Sequence, residues 1–178
     1  MALKIPASGQ LLSLDLVEGR NALAAAKKLL KSRSQNGGIS TWDASSIFFE
    51  MNNLEVNEKP SPRTLLLLYA ADLFFRLRWE IIPALEEGKC VVAMPYVETG
   101  YAFGAVMGLP KQWLTEVFRF APAASESFRG AEPPGTTKLG TATNGFVEFC
   151  SSILNQDLRP KFAAYFDELE RRGACRSL

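Results

Sequence analysis

The chemistry open to this chain is first narrowed by a missing side chain: none of its 178 residues is histidine. Ser-His-Asp and Cys-His nucleophilic sites, imidazole acid/base catalysis and His-ligated metals are therefore excluded. Carboxylates, Lys, Arg and hydroxyls remain. The three cysteines, Cys90, Cys150 and Cys175, are odd in number, widely spaced and without a CxxC pair. They are expected to be reduced packing residues rather than disulfide staples or metal ligands, and no metal site is expected. Polar residues collect where three apolar runs end: Val17-Glu18-Gly19-Arg20, Trp42-Asp43 and Met94-Pro95-Tyr96. If those runs are strands of a parallel sheet, the three ends share the edge at which such sheets bind ligands.

The elements that must position these ends are legible from pattern. Leu11 to Val17 is dense enough for a buried strand, and Ala22 to Lys31 is a strong helix by propensity, with Leu23, Ala26, Leu29 and Leu30 on one face. Ile39 to Trp42 reads as a short strand and Ser45 to Met51 as a short helix. Ser61 is a good N-cap and Pro62 suits the first helical position. Apolar residues then cover nearly every side from Leu65 to Leu85, which predicts a long helix buried on more than one side. Gly88 ends it, and Cys90 to Met94 reads as a strand covered on both faces. Tyr101 to Met107 is predicted to be an apolar turn or helix, Lys111 to Phe120 a helix, Glu126 to Arg129 a degraded strand, Gly145 to Arg172 helical, and Ala174 to Leu178 a terminal strand. Residues 121–143 are rich in Gly, Pro, Ala, Ser and Thr, with mobility expected near Pro133-Pro134-Gly135. The alternation predicts an α/β fold in three layers, a mainly parallel sheet with helices on both faces, in one domain over residues 1–178.

Charge and hydropathy narrow the partners. The formal charge is +1 with both signs interspersed, so neither nucleic acid nor an anionic membrane is expected as a partner. The first ten residues lack an apolar signal core, and no run approaches the roughly 18 apolar residues of a membrane span, so a cytoplasmic protein is expected.

The central block, LLLLYAADLFFRLRWEIIPALEEGKCVVAMPYVETGYAFGAVMGLPKQWL, resembles thymidylate kinase, a P-loop nucleoside monophosphate kinase family. It is similar to that family's apolar helix with A-A-[DS]-R, its I-x-P-A-L-x-x-G, its strand ending D-R-[YH], and its S-x-A-Y-Q-G loop. The resemblance implies ATP and Mg²⁺ as cofactors, held by a phosphate loop E-G-x-x-G-x-G-K-[ST] after the first strand. Set against that loop, Glu18, Gly19, Arg20 and Asn21 form a shortened, vestigial counterpart without the Lys and Ser/Thr. Arg20 can meet a phosphate, and Asn21 lies at a helix N-terminus; the alternative is a plain strand-to-helix turn. Met94-Pro95 stands for Asp-Arg, Leu73 for the helix Arg, Trp42-Asp43-Ala44 for Arg-Glu-Pro, and Gly104 for the amide of the last loop. Only Lys138 answers to the arginine-rich lid.

Phosphoryl transfer depends on positioning and on neutralising phosphate charge. These differences together therefore predict a chain without thymidylate kinase activity, with no catalytic residue and no bound cofactor, acting as a scaffold, regulatory or interaction protein. The alternative is a nucleotide-binding protein or kinase in which Arg20, Lys27 or Lys138 replaces the missing cations. In the resemblance, Asp43, Tyr69, Asp72, Tyr96, Glu98, Tyr101 and Phe103 line the former monophosphate pocket, now suited to a neutral or weakly charged small molecule. For Asp72, Arg76, Arg78 and Glu80 the simpler expectation is solvated or intrahelical pairs on the less buried side of the long helix. The family pairs through that helix, so a homodimer through residues 62–79 is expected.

Overall fold

The computed structural model describes residues 9–17, 22–33, 36–53, 59–130 and 145–178. Its centre is a five-stranded sheet in the order β2-β3-β1-β4-β5. The strands are β1 (Gln10–Asp15), β2 (Gly37–Thr41), β3 (Cys90–Met94), β4 (Glu126–Arg129) and β5 (Arg176–Ser177). Every pairing is parallel, with Leu12 beside Val92 on one side and beside Glu126 on the other.

Two-residue alternation divides the core into layers. Leu12, Leu14, Cys90, Val92 and Met94 pack with Ala22, Ala26 and Leu29 of α1 (Ala22–Lys31). Leu11, Val91 and Ala93 point the other way, into a larger layer. That layer is built by α2 (Ile47–Asn53), α3 (Pro62–Arg76), α4 (Ile82–Glu86), α5 (Val97–Val106), α6 (Lys111–Phe118), α7 (Phe146–Leu154) and α8 (Arg159–Arg171). The result is the three-layer α/β fold expected from sequence, with β4 and β5 standing where the weak strand signals lie.

The long helix is continuous but not uniform. Ser61 caps it, its side chain accepting the Thr64 N–H at 3.2 Å. Between α3 and α4 lies a π turn, Leu77–Ile81, in which Ile82 N–H reaches back to the Leu77 carbonyl. Pro83 follows and has no N–H for the preceding turn, which widens instead. Two differences from the sequence reading matter. Leu23 is half exposed rather than inward, because α1 buries Ala22, Ala26 and Leu29. Helix α5 starts at Val97, four residues before Tyr101, so Thr99 and Glu98 lie in its first turn. No helix among the described residues is long and apolar enough to cross a membrane.

Candidate functional site

The carboxyl ends of β1, β2 and β3 open on a cleft of about 690 Å³. Leu16 and Val17 follow β1 into it, and Ala22 and Leu23 bring in the head of α1. Trp42 and Asp43 form the wall after β2, Met94 and Pro95 the floor at β3. Thr99 from α5 and Phe146 from α7 complete it.

The β2 wall is set by buried electrostatics. Asp72 and Arg76, one turn apart on α3, are both fully buried and paired at 3.1 Å. The Asp72 carboxylate also accepts Asp43 N–H at 3.2 Å, Ser45 N–H at 3.0 Å and the Ser45 hydroxyl at 2.8 Å. These bonds hold a loop in which Asp43 and Ser46 have left-handed φ values of 60° and 62°. A strained loop of this kind persists only when its surroundings over-determine it. Asp43 in turn caps α2, its two carboxylate oxygens accepting Phe48 N–H at 2.9 Å and Phe49 N–H at 2.8 Å. Burial raises the Asp43 carboxyl above its ordinary range despite these bonds.

The floor is fixed in the same manner. Arg76 donates to the Pro95 carbonyl at 2.9 Å. Asp15, at the end of β1, accepts Tyr96 N–H at 2.9 Å, Thr99 N–H at 3.1 Å and the Thr99 hydroxyl at 2.7 Å. Burial still outweighs these donors and raises the Asp15 carboxyl. The Tyr69 hydroxyl donates to the Tyr96 carbonyl at 2.6 Å, and the Tyr96 hydroxyl to the Pro122 carbonyl at 2.6 Å. Burial lifts both phenols above their usual value.

Of the residues singled out from sequence, Asp43 lines the cleft, and Tyr69, Asp72 and Tyr96 lie behind it as its supports. Phe103 is in the core against Phe146, with ring centroids 5.1 Å apart. Tyr101 packs on Phe118 at 5.6 Å, and Glu98 is a half-buried neighbour of Tyr165. Glu18, Gly19, Arg20, Asn21, Lys138 and the Pro133-Pro134-Gly135 stretch lie outside the described residues. Of the expected solvated or intrahelical pairs, Asp72 and Arg76 do form an intrahelical pair, but the expectation that it lies on the less buried side is corrected: both are in the interior, because they bridge the loop after β2 and the end of β3. Arg78 and Glu80 are exposed, and Glu80 accepts the Ser40 hydroxyl at 2.6 Å. Sequence reasoning passed over Asp15 and gave Thr99 and Arg76 no part in shaping the cleft. A carboxylate closing an apolar strand, as Asp15 does, is the signal that could have found the first of them.

Strand β1 ends at Asp15 and α1 opens at Ala22, and residues 18–21 of the connection between them lie outside the described residues. A Mg²⁺-bound nucleotide needs a cation for its phosphates and an oxygen ligand for its metal. The described lining offers a methyl and an isobutyl group at the head of α1, and Asp43 has both oxygens engaged. Ala22, Leu23 and Asp43 do not fit that group.

No family model matches the chain. A probable thymidylate kinase of Pyrococcus horikoshii is 41% identical over 122 residues, which cover 63% of this chain and 57% of that protein. One of Staphylothermus marinus is 26% identical over 117 residues, covering 64% and 59%. The chain thus spans less than two thirds of the length of the curated relatives it matches. Among solved structures, thymidylate kinase of Candida albicans superposes with a TM-score of 0.67 at 16% identity, covering 96% of this chain and 83% of that one. Thymidylate kinase of Ehrlichia chaffeensis gives 0.66 at 11% identity, covering 96% and 85%. The fold is like that of these thymidylate kinases.

Proposed function

We propose that this chain, with its thymidylate kinase fold, does not phosphorylate thymidylate and serves as a binding or regulatory protein that takes an uncharged or weakly charged ligand. The observation that carries this reading is the apolar head of α1: Ala22 and Leu23 face the cleft where a kinase of this fold class needs a cation and a metal-binding hydroxyl. The internal engagement of Asp15, Asp72 and Arg76 supports it, since each is committed to holding the cleft walls. Self-association through the outward side of α3 and the π turn belongs to the same reading, supported by half-exposed Leu67, Phe74 and Phe75 and well-exposed Trp79.

A second reading is favoured by the names of the curated relatives, all probable thymidylate kinases. In it the chain is a kinase whose phosphate cations come from Arg20, Lys27 or Lys138. One experiment separates the two: the purified full chain with ATP, Mg²⁺ and thymidylate, followed by ADP release and by thermal shift with each ligand. The non-kinase reading expects turnover at the level of the protein-free blank and no shift with any nucleotide. A kinase would turn over, and a nucleotide held at about 100 times its Kd would add about 2.7 kcal/mol to native stability. Either result would discard the first reading.

A further inference from the structure

Two exposed apolar side chains belong to the lining of the cleft. Leu23, in the first turn of α1, is 48% exposed, and Phe49, in α2, is 66% exposed. Single exposed apolar residues need no explanation, but two that share one concave site of about 690 Å³ mark a place where a ligand takes them out of water. Trp42 and Phe146 lie on the same lining, so with Phe49 it presents three aromatic side chains, which favour a flat ring. Charge narrows the class further. An anion would meet Asp43 and, among the described lining residues, no Lys or Arg. A cation would meet an Asp43 whose two oxygens already accept N–H groups at 2.9 and 2.8 Å, and the N-terminal end of α1 at Ala22, whose partial positive charge opposes it. An uncharged molecule meets neither penalty.

Hydrogen bonding supplies the remaining feature. The Trp42 ring packs on the core rings of Phe48 and Phe149, with centroids 5.0 and 6.0 Å away. Its indole N–H is shielded from solvent and has no acceptor among the described residues. A buried indole N–H ordinarily has a partner, and one left unpaired is costly. The indole nitrogen only donates, so the group that completes it is an acceptor. We propose that the cleft binds an uncharged, ring-bearing molecule with a carbonyl-type oxygen, its apolar part covering Leu23 and Phe49 and its oxygen accepting the Trp42 indole N–H. This ligand class rests on the non-kinase reading of the cleft.

The test uses the full chain carrying Trp79→Phe and Trp113→Phe, in which Trp42 is the one remaining indole. Four probes of similar size are titrated by calorimetry and by the proton resonance of the Trp42 indole N–H: methyl benzoate, ethylbenzene, benzoate and benzylammonium. Methyl benzoate binds tightest and moves the indole resonance downfield; ethylbenzene, which has no acceptor, binds more weakly and does not. Both ions bind more weakly than methyl benzoate. Trp42→Phe keeps a ring but no donor, so it weakens methyl benzoate about fivefold, the worth of one net hydrogen bond, and leaves ethylbenzene unchanged. Phe49→Ser, at an exposed position that the fold tolerates, weakens both neutral probes. An indole resonance that methyl benzoate leaves in place overturns the proposal, and so does an ion that binds as tightly as the ester. Should Trp42→Phe not fold, a Phe49→Ser chain that binds both neutral probes as wild type does overturns it as well. ADP release with ATP, Mg²⁺ and thymidylate is followed on the same preparation. Turnover discards the non-kinase reading and this ligand class with it, whereas no turnover and no probe binding discard the ligand class alone.

Discussion

Each face of the long helix carries some residues that the other would ordinarily hold. The inward face of α3 buries an ion pair, Asp72 and Arg76, both at 0% exposure. The outward face leaves Leu67 and Phe74 at 50% and, in the π turn, Trp79 at 63%. Exposed aromatics are unremarkable singly, and buried charges are tolerated when paired and hydrogen-bonded. Together they show that the helix is not simply a core element. Its inner face spends a buried charge pair on holding the loop after β2 and the end of β3 in place. Its outer face leaves apolar and aromatic side chains exposed.

The inner face is where the largest effect is expected. Arg76→Ala leaves Asp72 buried without its cation and removes the donor to the Pro95 carbonyl. Breaking a buried pair by removing one partner costs about 3–5 kcal/mol, a large share of the roughly 5–15 kcal/mol available to a domain. Replacing both partners by apolar residues often restores stability in other proteins, but here it should not do so fully. Asp72 also accepts Asp43 N–H and Ser45 N–H, and Asp72→Leu with Arg76→Met leaves those donors without their partner. Chemical denaturation of the single and double variants checks this. A double variant as stable as wild type would mean that the pair does not organise the cleft wall.

This inversion also explains which parts of the molecule were legible. The sheet was, because β1 and β3 are buried on both faces and read as dense apolar runs, Leu11 to Leu16 interrupted by Ser13 and Asp15, and Cys90 to Met94. The helix was, because Ser61-Pro62 starts it and Gly88 closes the turn after it with a φ of 76°. The burial of the Asp72–Arg76 pair was not. An Asp and an Arg at i,i+4 spacing look the same in sequence whether they face water or a loop that meets them only in the fold. With apolar residues on every side of α3, periodicity could not say which face turns inward. The site suffered for the same reason: the partners of Asp15 and Asp72 come from α5 and the loop after β2, 84 and 27 residues away. Lone positions such as Tyr69 and Asp72 therefore read as pocket walls, although they stand behind the cleft.

A smaller effect on the same inner face comes from Tyr69→Phe, which deletes the 2.6 Å bond to the Tyr96 carbonyl. That carbonyl keeps Thr99 N–H at 3.2 Å as a second partner, so it is not orphaned. The expected loss is about 1 kcal/mol, the net value of one hydrogen bond, rather than the larger penalty of a buried unsatisfied group. A loss of several kcal/mol in urea unfolding would show that the phenol, and not the Asp72–Arg76 pair, carries the floor of the cleft.

On the outer face the contrast between folding and contact becomes testable. Trp79 lies beside Arg78, whose guanidinium is 5.0 Å from a ring centroid, and Phe74 meets Phe120 edge-on at 5.4 Å. Trp79→Glu removes little buried surface, so the unfolding free energy of the chain should change by no more than about 0.5 kcal/mol, as for exposed sites generally. If two copies meet on this face, the same change places a carboxylate in the contact and weakens self-association by roughly tenfold or more. Sedimentation equilibrium of wild type and Trp79→Glu distinguishes the cases. A wild-type chain that stays monomeric at high concentration removes the contact role. A dimer that Trp79→Glu leaves intact places the contact elsewhere. A monomeric variant of unchanged stability is the result the inverted helix predicts, since its outer aromatics then contribute to assembly and its inner charges to the fold.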